Sequence, residues 1–279
     1  MMDERPKSTL SKPIGKSLLL FFAGLYFLVC LIMAIAQRSL EYHPHVYDSA
    51  QVDRIAQSAN LERWTNSDGA NIGFKRLSPT HPAIGSILIT YGNAGSATGC
   101  AHYVNDIQNV AAMDVYILEY PGYEDRTGHP AEKTFFAAAA DAFQIIPTNK
   151  PVYLLGESLG SGVASYLAGT FTNRIDGIVL LSPFPSITDV GQHRYPFLPV
   201  SLLLVDKFAS EKYLRNYHGK VAVTVDGRDD VVPEKFGLRL YNSYEGPKKL
   251  WSYPNGGHIE IYLPHTKFWK EAIAFWRDN

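Results

Sequence analysis

The sequence predicts an α/β domain, a mostly parallel central sheet with helices on both faces, carried behind one N-terminal apolar helix. Short apolar runs alternate with longer helix-forming stretches along the chain, the pattern of parallel strands joined by helical crossovers. A serine flanked by glycines stands where one of those runs passes into a helical stretch. An uncharged run, Ser17–Ala36, precedes everything globular.

Taken in order, residues 1–16 form a basic leader and residues 17–36 an anchor, with the globular domain occupying 37–279. About 20 uncharged residues at a rise of 1.5 Å would cross a hydrocarbon core of roughly 30 Å. Every face of SLLLFFAGLYFLVCLIMAIA is apolar, which argues against a core helix with one wet side. The run also exceeds the usual apolar region of a cleaved signal, so a retained single-pass anchor is expected, with cleavage near Ala36, after Ala34-Ile35, as the alternative. Arg5, Lys7, Lys12 and Lys16 precede it against Arg38 and Arg54 after it, which places the N-terminus in the cytoplasm and the domain outside.

After a short connector, Leu61–Leu77 reads as a hairpin turning at Asp68-Gly69. Ile84–Tyr91 and Val115–Tyr120 are strands on either side of a helix near Gly99–Met113. The alanine-rich Ala131–Ile146 is helical, Val152–Leu155 a strand, Ser158–Thr170 a helix and Ile175–Leu181 a strand. Proline-rich Pro183–Pro199 and the apolar VSLLLV after it interrupt the rhythm as a small cap, at about 183–215. Strands return at Val221–Val225 and Lys249–Tyr253, and a helix from about His265 to Arg277 closes the chain.

Composition narrows the function. A formal net charge of −1 offers no basic field for a nucleic-acid backbone, so none is expected as a partner. The two cysteines, Cys30 and Cys100, lie in different regions, and no disulfide is expected. Neither Cys-x-x-Cys nor His-Glu-x-x-His spacing occurs, and the nine histidines do not cluster, so neither a metal nor a cofactor is expected.

The chemistry centres on Gly156-Glu157-Ser158-Leu159-Gly160. A serine on a sharp strand-to-helix turn projects its hydroxyl from the sheet edge, and the turn leaves no room for side chains two positions away, hence Gly156 and Gly160. Serine at neutral pH needs a base, and the base a carboxylate to fix its tautomer. His258, in YPNGGHIE after the last strand, stands in the right chain order for the base. Counting back from Val232-Pro233 puts the acid at Asp229, and counting forward from Gly227 puts it at Asp230; Asp229 is the choice and Asp230 the alternative. The two N–H donors that an oxyanion requires are expected from Leu159, at the start of the elbow helix, and from Asn93 in Tyr91-Gly92-Asn93-Ala94-Gly95.

From Gln37 onward, six ordered segments, QRSLEYHP, YGNAG, EYPGYE, GESLGSG, DGRDDVVP and PNGGHIE, resemble the α/β-hydrolase superfamily, and within it the Bem46-like membrane-anchored serine hydrolases related to acyl-protein depalmitoylating enzymes. That resemblance implies an α/β-hydrolase fold and a cofactor-free ester or thioester hydrolase, with Asn93, Ser158, Asp229 and His258 in the oxyanion, nucleophile, acid and base positions. The chain departs from the family pattern with tyrosine for histidine at Tyr91 and glutamate for glycine at Glu124. Its acid loop is one residue shorter between glycine and the valine-proline pair. The expected substrate is a small-molecule ester or an acylated or lipid-like compound, and the N-terminal helix would contact membrane lipid. A scaffold or binding protein that keeps the fold at the membrane with little turnover is the competing reading, since fold alone does not dictate activity.

Overall fold

The structure is a computed structural model that describes residues 12–258 and 265–278. The leader charges Arg5 and Lys7 lie outside the described residues. Eight strands form one sheet in the order β1-β2-β4-β3-β5-β6-β7-β8. β1 (Glu62–Thr65) and β2 (Asn71–Arg76) are the expected hairpin, and β2 joins β4 (Met113–Leu118) antiparallel. From there β3 (Gly85–Thr90), β5 (Val152–Glu157), β6 (Gly177–Leu181), β7 (Lys220–Asp226) and β8 (Lys248–Tyr253) run parallel. Every residue of β3, β4, β5 and β6 is buried, as strands covered by helices on both faces must be.

Helix α1 (Lys12–Glu41) contains the apolar run and extends beyond it at both ends. The segment expected as a plain connector holds α2 (Ser49–Ser58), capped by the Asp48 side chain, which accepts from Gln51 N–H at 2.7 Å. The helix expected near Gly99–Met113 is shorter, α3 (Ala101–Gln108), and α4 (Glu132–Ile145) and α5 (Leu159–Thr170) follow their expected bounds closely. Between β6 and β7 lie α6 (Ile187–Arg194), α7 (Val200–Leu203) and α8 (Ser210–Leu214). A helix that sequence reasoning did not find, α9 (Glu234–Ser243), connects β7 to β8, and α10 (His265–Arg277) ends the chain.

Two apolar cores result. The main one runs through the sheet and includes Phe208 and Leu214 from the β6–β7 excursion. A second joins Leu198 and Val200 of that excursion to Cys30, with Met33, Leu203 and Leu204 packed against them. The outer part of the cap therefore packs on α1, and its inner end packs on the body of the domain.

Candidate active site

Strand β5 stops at Glu157 and α5 starts at Leu159, leaving Ser158 alone to make the turn with φ 48° and ψ −117°. A non-glycine residue in that region is strained, and the surrounding fold must hold it there. Its N–H donates to Leu181 C=O at 2.9 Å, which ties the turn to β6. A Cβ at Gly160 would come within 2.0 Å of Thr90 C=O, and one at Gly156 within 2.7 Å of Ser161 Cα. Close approach of neighbouring atoms thus leaves no room for a side chain at either glycine.

Ser158 Oγ lies 3.1 Å from His258 Nε2, and His258 Nδ1 lies 2.7 Å from Asp229 Oδ2. Asp229 is buried and an ionised carboxylate only accepts, so Nδ1 carries the imidazole proton and Nε2 is left to accept from the serine hydroxyl. The other oxygen of Asp229 accepts from the N–H groups of Val231 and Val232 at 2.9 and 2.7 Å, which fixes the carboxylate plane. Asp230 is exposed and lines the cavity between α1 and the cap. The acid and histidine loops are stitched together by Gly227 N–H to Tyr253 C=O (3.0 Å) and Arg228 N–H to Gly256 C=O (2.8 Å). Those main-chain bonds carry His258 to Asp229 across the ends of β7 and β8.

Leu159 opens α5, where main-chain N–H groups face outward and the helix dipole favours negative charge. Asn93 sits in the turn after β3, closed by Gly95 N–H to Gly92 C=O at 3.0 Å. Its side chain is held at both ends: Oδ1 accepts from His43 N–H and Tyr123 O–H, both at 3.1 Å, and Nδ2 lies 2.9 Å from His43 Nδ1. Tyr123 O–H also donates to Asn93 C=O at 2.8 Å. Oδ1 and one amide hydrogen are thus committed, which leaves the main-chain N–H and the second amide hydrogen of Asn93 as donors for a ligand oxygen. Spacing along the chain gave no sign of His43 or Tyr123 as supports for this loop.

Behind the loop lie buried carboxyl groups. Tyr91 O–H donates to Glu119, which also accepts from Ala97 N–H at 3.1 Å, and Thr98 O–H donates to Glu124. Burial first, and the adjacent Glu124 second, push the Glu119 carboxyl well above its ordinary range. Glu157, beside Ser158, is also pushed up by burial, while Tyr103 O–H donates to it at 2.7 Å. Glu124 has a φ of 44°, the backbone geometry that glycine adopts freely.

Among the described residues no group of three or more histidine, cysteine, aspartate or glutamate side chains is arranged to hold a metal.

Comparison with known proteins covers both sequence and fold. A family model for the alpha/beta hydrolase fold matches residues 85–212, which takes in Asn93 and Ser158 and stops short of Asp229 and His258. An uncharacterized Mycobacterium tuberculosis protein is 29% identical over 243 residues, covering 85% of each chain. The lysophosphatidylserine lipase ABHD12 of Danio rerio is 28% identical over 229 residues, 75% of this chain and 58% of that one. An uncharacterized membrane protein of Saccharomyces cerevisiae is 28% identical over 187 residues, 64% of this chain and 66% of its own. In three dimensions, Est1E of Butyrivibrio proteoclasticus, solved with ferulic acid, superposes with a TM-score of 0.59 at 14% identity, covering 76% of this chain and all of that one. Sheet order, the strained turn at Ser158, the matched family model and the structural likeness agree, and the chain has an α/β-hydrolase fold.

Proposed function

We propose that this chain is a membrane-anchored serine hydrolase that cleaves carboxylic ester or thioester bonds of acylated or lipid-like substrates. The observation that carries the reading is the relay from Ser158 Oγ to His258 at 3.1 Å and on to Asp229 at 2.7 Å. In the proposed reaction His258 Nε2 takes the hydroxyl proton as Ser158 Oγ attacks the acyl carbon, and the imidazolium is stabilised by Asp229. The oxyanion is held by the N–H groups of Leu159 and Asn93. Collapse passes the proton to the leaving alcohol or thiol and leaves an acyl ester on Ser158. Water, deprotonated by His258, then releases the acid and restores the serine.

Support for the substrate class comes from the lipase named among the relatives and from the apolar cap. Support for a retained anchor comes from α1, which runs unbroken from the apolar run to Glu41 and is tied to the domain by Arg38–Asp206 at 3.1 Å. The charge asymmetry around the run supports a cytoplasmic N-terminus with the domain on the far side.

The test is active-site labelling of purified full-length protein by a fluorophosphonate, followed by hydrolysis of short- and long-chain esters and thioesters. Labelling that is abolished in Ser158→Ala, with hydrolysis lost in parallel, is the expected outcome. Labelling that persists in Ser158→Ala removes the nucleophile assignment, and an equal rate at every chain length removes the lipid-like substrate.

A further inference from the structure

The anchor and the cap touch at an unexpected level. Tyr26 O–H donates to Phe197 C=O at 2.9 Å. Tyr26 lies ten residues before Ala36, the end of the apolar run, which is about 15 Å of helix. If Ser17–Ala36 crosses a bilayer, as the proposed function has it, the cap main chain at Phe197 lies below the hydrocarbon boundary. The second apolar core agrees, because Leu198 and Val200 pack on Cys30, which also belongs to the span.

The cap is built for such a place. From Tyr195 to Val205 the sequence YPFLPVSLLLV carries no charge, and Arg194 and Asp206 close it on either side. Phe197, Leu202 and Val205 present their side chains outward, Leu202 with 83% of its surface exposed. Meanwhile five main-chain groups of the same stretch pair with side chains. Gln192 donates to Pro196 C=O and Leu198 C=O, and Tyr26 serves Phe197 C=O. Gln37 donates to Leu203 C=O and accepts from Val205 N–H. Apolar side chains outward over paired main-chain groups are what hydrocarbon demands of an irregular segment.

Between α1, the cap and the acid loop lies a cavity of about 390 Å³, lined by Met33, Leu198 and Leu203 among its apolar residues and by Glu41, Arg194 and Asp230 among its polar ones. This volume is near the small end of ligand pockets, enough for one chain rather than two. Both carboxyl oxygens of Glu41 are buried and, among the described residues, have no hydrogen-bond partner; burial, then Asp206, push the group up to about 8, so a neutral carboxyl there awaits a polar partner. Glu41 is five residues past Ala36, about 7 Å up the helix and level with lipid headgroups. Asp230 adjoins Asp229, which brings the cavity's lining next to the proposed triad.

We propose that the cap is immersed in the leaflet beside the anchor, and that the cavity receives the acyl chain of a single-chain lipid from within that leaflet, a hydroxyl or ammonium of its head donating to Glu41. The proposal rests on the membrane reading of α1 and not on hydrolysis, and its test needs no turnover. Full-length Ser158→Ala protein, with Cys30 and Cys100 replaced by alanine, is labelled with an environment-sensitive fluorophore at Leu202→Cys, or at Phe27→Cys for comparison, and reconstituted in phosphatidylcholine nanodiscs. Immersion predicts a blue-shifted Leu202→Cys signal quenched by chain-labelled nitroxide lipid and protected from iodide. A Leu202→Cys label quenched by iodide alone overturns the proposal; the Phe27→Cys label then shows whether the anchor reading has failed with it. In the same nanodiscs, a monoacylglycerol bearing a diazirine in its chain should cross-link to peptides containing Met33 and Leu203, with yield lowered severalfold by Glu41→Leu. Cross-links confined to other surfaces, or unchanged by Glu41→Leu, overturn the pocket assignment.

Discussion

His258 Nδ1 lies 2.7 Å from the buried carboxylate of Asp229, while Asp230, the next residue, is exposed to solvent. Two adjacent aspartates therefore make opposite predictions. Asp229→Asn would present an amide to Nδ1 and favour the wrong imidazole tautomer, lowering kcat by roughly 10⁴-fold with KM little changed. Asp230→Asn should keep kcat on a short soluble ester within about threefold, because it touches neither partner of the relay. Steady-state kinetics on both variants decides the acid, and a larger loss in Asp230→Asn would reverse it.

The oxyanion loop makes a second prediction. Tyr123 O–H holds both the main-chain carbonyl and the side chain of Asn93, and no other part of Tyr123 is needed for that grip. Tyr123→Phe keeps the ring packing against Tyr120 and Phe135 and removes only the two hydrogen bonds. Loosening a donor that acts on developing charge should lower kcat by about tenfold while KM stays within about twofold. An equal effect on thermal stability and none on kcat would make Tyr123 a packing residue only.

How much of this could be read from the chain follows from distance along it. The sheet was legible because each strand is a local apolar run, and the elbow because strand, serine and helix are contiguous. α2 was not legible: SAQVDRIAQS buries only Val52 and Ala56, too thin a stripe to stand out, although Asp48 was an available capping signal. α9 hid behind the charged acid loop, yet Phe236 and Leu240 have helical spacing and Pro233 precedes the first turn. The grip of His43 and Tyr123 on Asn93 joins residues 50 and 30 positions apart, and no local pattern encodes such a meeting. The choice of Asp229 over Asp230 rested on motif counting, because only the three-dimensional meeting of two loops distinguishes neighbours in sequence.

Gly160 gives a stability prediction. Thr90 O–H donates to Gly160 C=O at 2.8 Å, so β3 and the first turn of α5 are held in direct backbone contact. A methyl group at Gly160 would meet Thr90 C=O at 2.0 Å, and no flexible side chain is there to move aside. Gly160→Ala should cost about 1–3 kcal/mol of stability, as overpacking of a tight interior does. Because the displaced atoms carry Ser158 and the loop of Asn93, fluorophosphonate labelling should slow as well. Chemical denaturation alongside labelling rates checks both, and an unchanged midpoint would contradict the close approach.

The buried carboxyl of Glu119 sets a pH dependence whose sign can be worked out. In the unfolded chain this group ionises near its ordinary 4.5, whereas in the fold burial, and then Glu124, hold it protonated to much higher pH. Between those two values the native state binds more protons than the unfolded state, so stability falls as pH rises. The contribution is fully present below 4.5 and is lost progressively above it. Glu119→Gln replaces the carboxyl with a group that does not titrate and can still donate toward Glu124. Its melting temperature should therefore decline less than that of the wild type between about pH 5 and about pH 9, whatever the offset between the two curves. The slope is the informative quantity, since the amide also alters the bonds from Tyr91 and Ala97 at every pH. Parallel curves would mean that Glu119 ionises alike in both states, and the account of a protonated carboxyl bracing the oxyanion loop would then be wrong.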